Sequence, residues 1–179
     1  MFKNTEIAYG LGTRIIHWTM ALMIITILIV GFYMVGLPKT DYKWDIYGIH
    51  KATGTVILVL VLLRILWRLS NVWPLLPDSV PSWQAFLANL NIFFLYCAML
   101  AMPLSGFFGS LLGGHDISFY GLFIIPAIAE NNVLSGYLWD IHHILPYFLV
   151  ASIALHLLAA LHHHFILKDN VLRRMWSGS

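Results

Sequence analysis

The chain has 179 residues, 60% of them hydrophobic and only 10% charged, against roughly 25% charged in a soluble domain. A water-soluble fold of this size cannot hide that much apolar surface, so composition alone makes this an integral membrane protein. A net charge of +2 without a basic run gives no sign of a nucleic-acid partner.

Four apolar spans are predicted, at residues 13–35, 50–69, 83–112 and 138–167, each meeting the length of about 20 residues needed to cross the hydrocarbon core. They predict an all-α transmembrane four-helix bundle, with residues 1–179 as a single membrane domain. Little positive charge precedes the first span and no small-residue cleavage site follows it, so it is expected to be retained. Gly12, Pro38, the Pro74, Pro77, Pro81 series and Gly113-Gly114 mark breaks between elements. Pro103 and Pro146 fall inside spans three and four, where membrane helices tolerate proline. The single cysteine, Cys97, excludes a disulfide framework, and the absence of a CxxCH motif excludes thioether-attached haem.

The basic residues predict orientation. With four spans both termini share a side, and that side carries Lys3, Arg14, Arg64, Arg68, Lys168, Arg173 and Arg174. Lys39, Lys43 and Lys51 lie on the other. The excess places both termini in the cytoplasm.

Histidines supply the chemistry. Residues 140–170 hold six of the nine in an otherwise apolar run. His142 and His156 are fourteen residues apart, which on an α-helix brings them within about 40° of one face and separates them by about 21 Å. His143 lies about 140° from His156 and fails that test. By depth, His50 matches His142 on the outer side and His17 matches His156 on the inner side. Each pair suits bis-imidazole ligation of a low-spin b-type haem, with neither axial position left for substrate. His163 is within about 20° of His156 on the helix and also matches His17. His156 is preferred because an unliganded imidazole so deep in apolar surroundings costs more. His162, His163 and His164 point in different directions and do not form one metal site. His115 and His143 are read as structural or exposed.

Arg64 follows His50 by the same fourteen residues and needs an anionic partner, for which a propionate of the inner haem serves. A snorkelling interfacial arginine is the alternative. Gly54, one turn after His50, gives a porphyrin room to approach, or else lets two helices pack closely.

These histidines, with the tail HHHFILKDNVLRRM, resemble the bacterial cytochrome b561 family over almost the whole chain. The histidine pattern is also similar to that of the cytochrome b subunits of formate dehydrogenases and nickel-iron hydrogenases. The short stand-alone members, closest in length, include a superoxide:ubiquinone oxidoreductase type. The resemblance implies a four-helix bacterial inner-membrane protein holding two non-covalent b haems, with His17, His50, His142 and His156 as axial ligands. On that reading electrons pass from superoxide to ubiquinone. Lys43 and Lys51 would steer the anionic donor toward the outer haem, although Asp41 and Asp45 dilute their field. His163 would supply protons for quinone reduction, with Arg14 nearby in depth. The alternative is an electron-transfer subunit that accepts electrons from a partner dehydrogenase or hydrogenase.

Overall fold

A computed structural model describes residues 1–75 and 80–178. Pro77, one of the expected breaks, lies outside the described residues. Four long apolar helices are present, as the sequence predicts: α1 (Leu11–Val35), α2 (Asp41–Leu69), α3 (Ser82–Leu112) and α4 (Asn132–His162). The last continues into a π-helical turn at His163–Leu167 and is followed by a short α5 (Val171–Trp176). No more than 22% of the most apolar window of any of the four is buried within the protein. Their remaining apolar surface is left for lipid, the only solvent in which it costs nothing.

Two helices begin earlier than their apolar runs. α2 starts at Asp41, not near His50, because the turns ahead of its apolar run open on an acid that suits a helix N-terminus. α4 starts at Asn132, where the Asn131 side chain accepts the Leu134 N–H at 3.0 Å as an N-cap. Pro103 and Pro146 both sit within continuous helix. The connection between α3 and α4 holds an unexpected element, a hairpin of β1 (Ile117–Phe119) and β2 (Phe123–Ile125), paired antiparallel with Phe119 opposite Phe123. Its turn places Tyr120 and Gly121 at φ 53° and 77°, the left-handed pair that matches the twist of two strands.

The described residues form two compact units, and every long helix contributes to both. The first comprises residues 1–19, 63–98 and 147–179. In it Asn91 donates to the Ser152 carbonyl at 3.2 Å, satisfying a buried amide between α3 and α4. The Asn4 carboxamide oxygen accepts from Gly10 N and Thr13 Oγ1, fixing the N-terminal segment against the start of α1. α5 is held by Trp18 and Arg14, which donate to the Met175 and Trp176 carbonyls at 3.1 and 2.8 Å.

The second unit comprises residues 20–62 and 99–146, with a core that includes Met20, Ala52, Val61 and Ile117. Here Lys43 donates to the Leu37 and Val35 carbonyls at 2.8 and 3.3 Å, satisfying acceptors that α1 leaves open at its C-terminus. Two bonds pin the hairpin to α2. Lys51 Nζ reaches the Asp116 carbonyl at 2.7 Å, and Thr53 Oγ1 and the Tyr120 hydroxyl are 2.8 Å apart.

Candidate functional sites

In the second unit His50 from α2 and His142 from α4 face each other, with ring centres 6.2 Å apart and planes nearly perpendicular at 88°. Two imidazoles sharing one metal ion, at bonds of about 2 Å with each ring centre about 1 Å beyond its nitrogen, hold their centres about 6 Å apart. Each ring rests against a helix that lacks a side chain at that point. A Cβ on Gly106 would lie 2.6 Å from His142 Cε1, and one on Gly31 would lie 3.4 Å from His50 Cε1.

The Nδ1 of His142 is 3.0 Å from the Met102 carbonyl and 3.3 Å from Ser105 Oγ. A carbonyl only accepts, so this contact fixes the proton on Nδ1 and leaves the Nε2 lone pair for a metal, as metal-bound histidines usually do. His50 Nδ1 is buried without a hydrogen-bond partner. Trp139 packs edge-on against His142 at 5.6 Å and stacks on His143 at 6.0 Å.

The first unit repeats the arrangement. His17 from α1 and His156 from α4 have ring centres 6.2 Å apart, inclined at 55°. Trp18 packs on His17 edge-on at 5.2 Å. Arg64 places Nη2 3.3 Å from His17 Nδ1 and donates from Nε to the Tyr96 hydroxyl at 3.2 Å.

The donor chemistry fits a ring-borne metal. Among the described residues there is no group of three or more His, Cys, Asp or Glu able to hold an ion by protein ligands alone. Two imidazoles alone would hold an iron when a macrocycle supplies its remaining ligands, which is the chemistry a haem would bring. His50 with His142, and His17 with His156, each present a pair of imidazoles that fits a haem iron.

The other expected site residues fall variously. His163 turns Nδ1 to Asp169 Oδ2 at 2.5 Å, and Asp169 Oδ1 accepts the Val171 N–H at 3.0 Å. Arg14 is engaged at the end of α5, as described. Lys43 and Lys51 are both on α2 and both tethered to main-chain carbonyls. Beside Lys51 lies a cavity of about 530 Å³ lined by Trp44, Tyr47, His115, Asp116 and Trp139, among others. Gly54 is open, its nearest neighbour for an added Cβ being Ile27 Cδ1 at 3.9 Å. Gly31, Met102, Ser105, Gly106, Tyr96 and Asp169 were not anticipated. The one sequence signal for Gly106 is its place in the small-residue series Gly106, Gly109, Gly113 along α3, a pattern of close approach.

A family model described as prokaryotic cytochrome b561 matches residues 8–178. Cytochrome b561 homolog 2 of Escherichia coli (strain K12) is 30% identical over 180 residues, which cover 99% of this chain and 96% of that protein. Cytochrome b561 homolog 1 of the same strain is 30% identical over 165 residues, 89% and 92% of the two chains. A probable superoxide oxidase, CybB of Yersinia pestis, is 32% identical over 164 residues, 89% and 90% respectively.

Proposed function

We propose a function from one premise: the chain belongs to the prokaryotic cytochrome b561 family, multi-pass bacterial inner-membrane proteins of electron transport that bind haem b. The protein takes single electrons from superoxide at the outer side and delivers them in pairs to ubiquinone. Two superoxide ions, one ubiquinone and two protons give two dioxygen molecules and one ubiquinol. The observation that carries this reading is the recurrence of one geometry, two imidazoles from separate helices at 6.2 Å, once in each unit. The relative named as a probable superoxide oxidase supports superoxide as donor.

Each haem, when bound, supplies a one-electron carrier. The chain's own residues do the rest. His50 with His142, and His17 with His156, would each hold a haem through two imidazoles, which would leave no open position for substrate on the metal. The Met102 carbonyl holds the tautomer of His142, and Gly31 and Gly106 admit the two outer rings. Arg64, beside His17, is placed to pair with a propionate. Gly54 leaves α2 open to a macrocycle. Lys43 and Lys51 add positive charge beside His50 for an anionic donor. His163 delivers a proton to the reduced quinone on the cytoplasmic side, where both termini lie.

A second reading, an electron-transfer subunit docked to a dehydrogenase or hydrogenase, is favoured by one observation. The hairpin tip exposes Tyr120, Leu122, Phe123 and Ile124, the second of these to 79%. Such a patch fits a partner protein as well as lipid. Purification without companions separates the two. The stand-alone reading expects two haems per chain by dithionite difference spectrum and haem-to-protein ratio, both reduced by superoxide. A two-haem protein that superoxide leaves oxidised is the subunit instead.

A further inference from the structure

Arg68, one turn beyond Arg64 on α2, sits in an unusual place. Its guanidinium carbon lies 3.7 Å from the centre of the Trp73 ring and 4.6 Å from that of Tyr96. The cation is therefore packed against two aromatic rings, and the Tyr96 hydroxyl also takes part in a hydrogen bond with it. Yet Nη1 is buried with no partner. No carboxylate among the described residues lies within ion-pair distance of Arg68.

The surroundings add more positive charge. The Arg64 guanidinium lies 5.5 Å from the same Tyr96 ring, and Tyr9 is within electrostatic reach of Arg68, Arg174 and Arg64. Burial raises the Tyr9 hydroxyl above its usual range despite those three cations, so it adds no compensating negative charge. Like charges four residues apart on a helix repel, and a partly buried guanidinium with an unmet donor costs more still. An arrangement of this kind is stable when an oxyanion lies in the plane of the fork.

We propose that Arg68, packed against Trp73 and Tyr96 with Nη1 buried and unpartnered, is the second arm of a clamp whose first arm is Arg64. The pair grips the two propionate carboxylates of the haem carried by His17 and His156. This rests on the two-haem reading above. The contacts run without a break from that haem's ligand: His17 to Arg64, Arg64 to Tyr96, Tyr96 to Arg68. Two carboxylates project from one edge of a b-type haem, and two guanidiniums one helical turn apart match them. Tyr96 and Trp73 act as positioning residues that hold the Arg68 guanidinium in place. A phosphate of an anionic lipid has the same chemistry and is the competing source.

The test uses the detergent-purified holoprotein with Arg68→Gln, and Arg68→Lys as a variant that keeps the charge. Three quantities are read: the midpoint potential of each haem, the rate of haem transfer to an excess of apomyoglobin, and co-purified phospholipid. In Arg68→Gln one midpoint potential falls, since lost positive charge disfavours the reduced form, while the other stays. Haem transfer from that site quickens about tenfold, the scale of one lost charge-assisted hydrogen bond. Arg68→Lys keeps the potential near wild type but still releases haem faster, because an ammonium is not a planar fork. Unchanged potentials and transfer rates in both variants overturn the clamp, as does loss of phospholipid with haem unaffected. A wild-type protein carrying no haem on His17 and His156 overturns the two-haem reading and the clamp together.

Discussion

Gly106→Ala is the sharpest test of the His50/His142 site. The added methyl would lie 2.6 Å from His142 Cε1 and 2.9 Å from Nδ1. Ordinary carbon contacts need about 3.5 Å, so the ring must retreat by about 1 Å. His142 Nδ1 sits 3.0 Å from the Met102 carbonyl, and a retreat of that size takes it out of hydrogen-bond range. The methyl is a worse neighbour than its size suggests, because overpacking of this kind costs about 1–3 kcal/mol. Loss of the bond that orients a metal-bound histidine costs about 10–100-fold in affinity. Helix α3 itself should not suffer, since Ala is about 1 kcal/mol better than Gly within a helix. The expected outcome is a folded protein with about one haem per chain by pyridine haemochromogen assay, the His17/His156 haem being kept. Two haems with unaltered potentials would refute the placement of His142 against this glycine.

Further outcomes follow from the same geometry. His50→Ala and His142→Ala should each remove the same haem, and the double variant should lose no more than either alone. His17→Ala and His156→Ala should behave likewise with the other haem; additive losses within a pair would break the pairing. Asp169→Asn keeps an oxygen for the Val171 N–H but loses the charged partner of His163. Quinol formation should slow about tenfold, with superoxide-driven haem reduction unchanged in stopped flow, if His163 is the proton donor.

What was legible in the sequence was whatever one helix or one residue type determines. The spans follow from hydrophobic length, and the fourteen-residue spacing of His142 and His156 is a property of a single helix. The partners of those histidines followed from depth, because membrane helices of similar length align their ends. The hidden features depend on how separate segments meet. Gly106 and Met102 matter only because α4 brings His142 against α3, and neither carries chemistry that marks it. Arg68 reads as an ordinary interfacial cation until Trp73 and Tyr96 are seen packed against it and its Nη1 is found buried without a partner. The start of α2 was missed because hydropathy finds the apolar run, whereas the helix continues into polar turns that Lys43 stabilises. The hairpin was missed because its strands are three residues long, too short for alternation to register.

The tethering of Lys43 and Lys51 bears on how superoxide would reach the proposed His50/His142 site. Their hydrogen bonds to main-chain carbonyls fix the ammonium groups but leave their charge, and steering at a distance depends on charge alone. Fixing them even helps, since a mobile lysine spreads its field over many rotamers. Against this, Asp41 and Asp45 are exposed on the same helix and shorten the reach of the field. With a screening length of about 10 Å at 0.1 M salt, any steering must act close to the entrance and fade as salt rises. Lys43→Gln with Lys51→Gln should therefore slow superoxide oxidation about three- to tenfold at low ionic strength and flatten its salt dependence. Loss of the tethers alone would slow the reaction equally at all salt concentrations, so the flattened salt dependence is the mark of lost charge. An unchanged rate at low salt would leave the two lysines with a purely structural task, and would move weight from the superoxide donor to a docked partner.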